Sequence, residues 1–239
     1  MPDSSQEPHP RDSSAPGTGE ASTTGAPTGG SKPRTTPSSY KLTLTSAALV
    51  PEAARVVAEH YLQSGDWDQA KRHILDTNAL QSRTTRSASR LESELRHRLS
   101  TLTRGQLELL AHATAEDRAA LAWLAACKYL PFAFEFAAEV LRDKLAAHDP
   151  VLRHSDYETY FEVKSLSHPE LERVTPSSKV KIRQVLLKML VEAGLLGPGE
   201  ALGTVQRPAL SPGVDRAVAD DSPRWLAAFL IPDDEIQRR

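Results

Sequence analysis

The stretch DWDQAKRHILDTNALQSRTTRSASRLESELRHRLSTLTR, residues 66–104, reads as two helices joined by a turn. Asp66 is a good N-cap with Gln69 at the capping-box position, and residues 66–75 place Trp67, Ala70 and Ile74 on one side. Asn78, Ala79 and Leu80 mark the turn. On a wheel of about 100° per residue, Ala88, Leu91, Leu95 and Leu99 fall within roughly 80° and form a stripe to be buried. Arg86, Arg90, Ser93 and His97 then point away from that stripe, with Arg83 at the entry to the same face. Thr84 and Thr85 lie at the N-terminal end of the second helix, where a recognition helix meets base edges or phosphates. Short helix, tight turn and longer basic helix together predict a helix-turn-helix unit.

A similar layout recurs downstream. His168, Pro169, Glu170 and Leu171 begin a short helix, Thr175 and Pro176 start a longer one, and Gly194 ends it. Ile182, Val185, Leu186, Met189, Leu190 and Ala193 form its apolar face. Lys181, Gln184 and Lys188 share the opposite face, with Lys179 and Arg183 on the flanks. A glycine-rich turn and the extended residues Thr204, Val205 and Gln206 follow, enough for a short wing and no sheet. The second unit is therefore expected to be winged-helix-like.

The other punctuation is also helical. Pro51 opens a helix that Gly65 closes; Thr103 with Gln106, Thr114 with Asp117 and Ser155 with Glu158 read as caps, and Ser211-Pro212 and Ser222-Pro223 as starts. That makes about nine helices. Residues 116–145 carry Trp123, Phe132, Phe134, Phe136, Val140 and Leu141 in two helices broken at Pro131, with apolar residues at too many angles for a surface helix. They are expected to be the central scaffold, with Cys127 a small buried hydrophobe. The fold class is all-α: a compact helical protein with two helix-turn-helix units around that scaffold. Its expected parts are a disordered Ser/Thr/Pro/Gly-rich tail over 1–39, an N-terminal unit over 40–104, the scaffold over 105–150, a C-terminal unit with terminal helices over 151–232 and a tail over 233–239. The first of these holds 26 Ser, Thr, Pro or Gly and no Val, Ile, Leu or aromatic residue, too little apolar area to offset ordering entropy.

Charge narrows the function. The 239 residues carry a net charge of −2, and residues 40–232 hold 24 basic and 24 acidic side chains. Within that neutral body, 81–104 has six Arg against two Glu, and 173–190 has five basic residues against none. No acid is expected to interleave with the arginines at i+4, so the positive charge should stand on two helices, as a local polyanion site requires. The alternative for each is a solvated face, or in the second a protein-docking one.

Other chemistry lacks its motifs. A single cysteine excludes a disulfide framework and multi-cysteine zinc sites. HExxH, Walker A and GxGxxG are absent, and no metal or cofactor is expected. His168 with Glu170 reads as a helix start, and Glu162, Val163 and Lys164 with Asp156 only faintly suggest a metal nuclease. Lys128, Glu135 and Glu139 interrupt the one membrane candidate, and the N-terminus lacks an apolar signal region, so a cytoplasmic, membrane-free protein is expected.

Residues 40–103, 116–145 and 155–196, with RPALSP at 207–212, resemble the BrxA family, small core components of bacterial BREX phage-exclusion systems. GDWD at 65–68 and RTTRSASR at 83–90 are specific in combination. The resemblance implies a non-enzymatic protein that binds double-stranded DNA, acting alongside a DNA methyltransferase, an ATPase and a phosphatase-like protein. An adaptor that docks acidic partner surfaces with the same helices is the alternative. The tail lies outside the resemblance.

Overall fold

The computed structural model describes residues 39–41 and 48–238, so the disorder expected of the tail lies outside the described residues except at Ser39. Twelve α-helical segments follow one another: α1 Pro51–Ser64, α2 Trp67–Asp76, α3 Thr85–Leu99, α4 Arg104–His112, α5 Ala115–Tyr129, α6 Pro131–Glu135, α7 Arg142–Ala146, α8 His154–Ser165, α9 Pro169–Glu172, α10 Pro176–Glu192, α11 Pro212–Asp221 and α12 Asp233–Ile236. A π-helical turn, Phe136–Leu141, joins α6 to α7, and a 3₁₀ segment, Pro223–Phe229, precedes α12. The class is all-α as expected. The helices outnumber the expected nine in part because that π turn splits one helix in two and because α12 is a single turn too short to show a period, whereas α9 starts where His168-Pro169 predicts a short helix. α12 also changes the reading of 233–239 as mere tail: Ile236 packs against the core, and Asp233 accepts two hydrogen bonds from Arg142, at 2.6 and 3.3 Å.

The caps are chemically those the sequence advertises. Asp66 accepts the Gln69 N–H at 2.7 Å, Thr103 and Gln106 form a reciprocal box, and Gly65 closes α1 at φ 67°, a conformation glycine adopts without steric cost. One cap is displaced. α8 begins at His154, and the Asp156 carboxylate accepts the Arg153 N–H at 2.7 Å, so Ser155 lies inside the helix and Glu158 faces elsewhere.

A small sheet corrects the expectation of none. Its strands, β1 Val151–Leu152, β2 Leu196–Gly197 and β3 Gly203–Val205, pair antiparallel in the order β1-β3-β2. Thr204 faces Val151 on one side and Gly197 on the other. Pairs of residues cannot display alternation, so β1 and β2 leave no pattern to read. Gly203 is obligatory here: its φ is 129°, and a Cβ would stand 2.6 Å from the Gly197 carbonyl oxygen.

The core runs from Tyr40 to Ile231 as one cluster. α5 is its axis; Trp123 is wholly buried and donates its indole N–H to the Ala228 carbonyl at 2.9 Å, joining the scaffold to the 3₁₀ segment. At Pro131 the chain turns by 115°, because the ring cannot continue the α5 hydrogen-bond ladder. Phe132, Phe136 and Leu141 are buried beyond the bend, whereas Phe134 and Val140 are half-buried. Cys127 sits in this core, and burial pushes its thiol well above the ordinary range, as for an inert apolar side chain. No single helix among the described residues is long and apolar enough to cross a membrane.

Candidate nucleic-acid interface

α2 and α3 are joined by a turn in which Asn78 and Gln81 both take φ 49°. The Asn78 side chain holds it by receiving the Ser82 N–H at 3.1 Å and donating to the Ser82 carbonyl at 3.2 Å. Thr84 then caps α3: its hydroxyl oxygen accepts the Ser87 N–H at 3.1 Å, and Ser87 returns a contact to the Thr84 N–H at 3.3 Å. The Thr84 hydroxyl is thus engaged in starting the helix, while Thr85 stands exposed as its first residue.

Along α3, Ala88, Leu95 and Leu99 are buried and Leu91 is half-buried, which leaves Arg83, Arg86, Arg90 and His97 exposed. The expectation that acids do not interleave is overturned. Glu92 accepts from Arg96 at 3.0 Å, and Glu94 from Arg98 at 2.8 Å, both at i+4 and both on the inward side. Arg98 is buried, which lowers its pKa, and it also donates to the Ala48 carbonyl at 2.7 Å. Desolvation likewise raises Glu92 above the usual carboxylate range. Two of the six arginines counted in the sequence are therefore engaged within the protein, Arg98 buried and Arg96 half-buried, and Arg104 pairs with Glu108 at 3.0 Å.

The exposed face borders a cleft of about 500 Å³ lined by Arg86, Ser89, Arg90, Ser93, Glu94, His97 and Tyr129, with the Glu94 carboxylate already paired to Arg98. Tyr129 closes it from the end of α5, its ring 4° from parallel with His97 at a centroid distance of 5.8 Å. The Lys41 ammonium lies 4.1 Å from the same ring, a cation–π contact. The sequence pattern singles out neither Tyr129 nor Lys41. They come from distant segments, and nothing local to either says that α3 lies beside them.

α10 divides its cations differently from the sequence expectation. Its apolar face is buried as expected, and Lys181, Gln184 and Lys188 are exposed. Lys179 and Arg183 are instead drawn onto α8, both pairing with Glu158, at 2.6 and 2.8 Å. Lys179 also lies over the Phe161 ring at 4.6 Å. The hydrogen bond from Lys179, with both cations nearby, holds the Glu158 carboxyl below its usual range, so the contact survives mild acid and weakens as pH falls through that depressed value. Lys188 stands 3.9 Å from Glu192, a loose pair that leaves its head in solvent.

The residues that suggested other chemistry are engaged structurally. His168 stacks on Tyr40 with ring centroids 3.7 Å apart, and Glu170 accepts the Tyr40 N–H at 2.5 Å. Lys164 pairs with Glu135 and Glu139, at 2.5 and 2.8 Å, while Asp156 caps α8 and meets Lys144 at 3.0 Å. Among the described residues, no group of three or more His, Cys, Asp or Glu side chains is placed to hold a metal ion.

Comparison with known proteins adds four findings. The family model described as BrxA matches residues 38–222. A BREX protein BrxA of Escherichia coli O9:H4 (strain HS) is 28% identical over 151 residues, covering 63% of this chain and 71% of that protein. One from Bacillus cereus (strain H3081.97) is 24% identical over 143 residues, covering 60% and 72%. An uncharacterized protein from Magnetospirillum magneticum, solved by crystallography, shares the fold at a TM-score of 0.71 and 20% identity, covering 80% of this chain and 97% of its own.

Proposed function

The chain belongs to the BrxA family of BREX phage-exclusion systems, and from that premise we propose that it is a non-catalytic, cytoplasmic subunit that binds double-stranded DNA through α3 and α10. The observation that carries this reading is the exposed set Arg86, Arg90 and His97 on α3, with Arg83 just before its N-cap, behind a hydrogen-bonded turn and the Thr84 cap. Cations on a fixed helix beside Ser89, Ser93 and Tyr129 are the donor types that position phosphates. Arginine there can bind a phosphate oxygen pair bidentately.

Chain order supports a like role for α10. A helical scaffold, then β1, then α8 to α10, then the β2–β3 hairpin is the sequence of elements in a winged helix, with α10 in the recognition position. In this reading residues 40–104 and 151–232 are the two DNA-facing units and 105–150 hold them. Lys181, Gln184 and Lys188 contact DNA, and Lys179 and Arg183 brace α10 against α8. Other BREX components, a methyltransferase, an ATPase and a phosphatase-like protein in the family's systems, are the protein partners.

One observation favours a second reading for α10. Val180 and Val191 are exposed, at 43% and 56%, on the same helix as Lys181 and Lys188. Apolar and basic residues together suit an acidic protein surface, and α10 would then be the adaptor face.

The test is Arg86→Ala with Arg90→Ala. Binding to duplex DNA should weaken, and the plot of log affinity against log salt should flatten by about one to two units, since each lost phosphate contact removes about 0.9. Circular dichroism should not change, because both side chains are exposed. Undiminished binding with an intact slope would reduce the α3 face to a solvated surface.

A further inference from the structure

The short segment 48–50, just before α1, is gripped from two directions. From α3, Arg98 donates to the Ala48 carbonyl at 2.7 Å while Glu94 holds the same guanidinium. From α10, Oε2 of Glu192 accepts the backbone N–H groups of both Leu49 and Val50, at 2.7 and 3.3 Å. Val50 is the N-cap of α1, yet its side chain cannot accept a hydrogen bond, so Glu192 supplies an anion from another helix at a positively polarised N-terminus.

Two features make this contact unusual. An acid in the last turn of α10 opposes that helix's own dipole, so its position must be compensated elsewhere, and the two N–H groups do so. Val50 has φ 48° and ψ 59°, a left-handed conformation that a β-branched residue adopts only when its surroundings over-determine it. The segment leads into α1, which packs directly on α2 and α3.

We propose that Glu192 is a positioning residue: with Arg98 it fixes the α1–α3 unit against the end of α10 so that both basic helices engage one duplex at once. The inference rests on the DNA-binding reading above. If the tether holds, contact by one helix makes contact by the other intramolecular, and the gain in affinity comes from effective concentration. Glu192 itself touches no DNA and lies beside Lys188, whose head remains in solvent.

The experiment measures binding of the full chain to two duplexes by fluorescence anisotropy. One has about 30 base pairs, roughly 100 Å at 3.4 Å per step, and the other about 8, enough for one helix only. Glu192→Ala should weaken binding to the longer duplex by about tenfold or more and to the shorter by less than about twofold, because avidity and not contact is lost. Glu192→Gln keeps an acceptor but loses the charge, and should fall between, about threefold weaker on the longer duplex. If Glu192→Ala fails to fold by circular dichroism, Glu192→Gln decides by the same comparison. Equal losses on both duplexes, or no loss on the longer one, would overturn the proposal. Arg86→Ala with Arg90→Ala and Lys181→Ala with Lys188→Ala are measured on the longer duplex in parallel. If neither pair matters there, the DNA-binding reading itself has failed; if both matter while the Glu192 variants bind as wild type, only the tether has.

Discussion

Replacing Arg86, Arg90, Lys181 and Lys188 with alanine together is expected to reduce duplex binding to background, a loss of at least about a hundredfold at physiological salt. Each helix offers few exposed cations once the internally paired ones are removed: Arg96 and Arg98 serve Glu92 and Glu94, and Lys179 and Arg183 serve Glu158. A contact set of that size on its own binds DNA at roughly micromolar affinity or weaker. Removing two cations from each unit takes away both the direct phosphate contacts and the advantage of linking them. All four side chains are exposed, so the melting temperature should stay within a few degrees of wild type. Intermediate patterns are informative. Comparable losses from the α3 pair and the α10 pair support a two-helix clamp, whereas loss from the α3 pair alone makes α10 the protein-docking face.

Trp123→Ala should be far more damaging to stability than any of the surface substitutions above, costing about 3–5 kcal/mol. The side chain is wholly buried on the central helix, so truncation leaves a cavity in the middle of the core. It also strands the Ala228 carbonyl, which loses the indole N–H at 2.9 Å. For a chain of this length each kcal/mol corresponds to roughly 2–4 °C, so the melting temperature should fall by about 10 °C. Trp123→Phe separates the two contributions: it keeps most of the volume and removes the donor, and should cost clearly less. An unchanged melting temperature for Trp123→Ala would mean that α5 is not the axis of the core.

Much of this architecture is legible in the sequence because its signals are local. Caps such as Asp66, Thr103 and Thr114 act on an N–H three residues away, and the apolar stripes of α3 and α10 follow from their own periods. What stays hidden depends on contacts between distant segments. β1 and β2 exist because they pair with β3, since two residues have no pattern of their own. Glu158 has the spacing of a capping partner for Ser155, but the N-cap is Arg153, two residues earlier, and the carboxylate turns toward α10. The same holds at the candidate interface. A count of charge by segment does not distinguish Arg86, which is exposed, from Arg98, which is buried against Glu94 and the Ala48 carbonyl. Nor does it find Tyr129 and Lys41, brought to the α3 cleft from other parts of the chain.

The central claim is that exposed cations on α3 and α10 neutralise DNA phosphates. Its most direct test is the affinity of the unmodified protein for a duplex of random sequence, measured across a series of salt concentrations. Phosphate neutralisation by these side chains should give a straight line of log affinity against log salt with a slope of roughly −3.5 to −5.5, from about 0.9 per phosphate and one phosphate for each of four to six exposed basic residues. Absence of binding at low salt, or binding with a slope near zero, would contradict it.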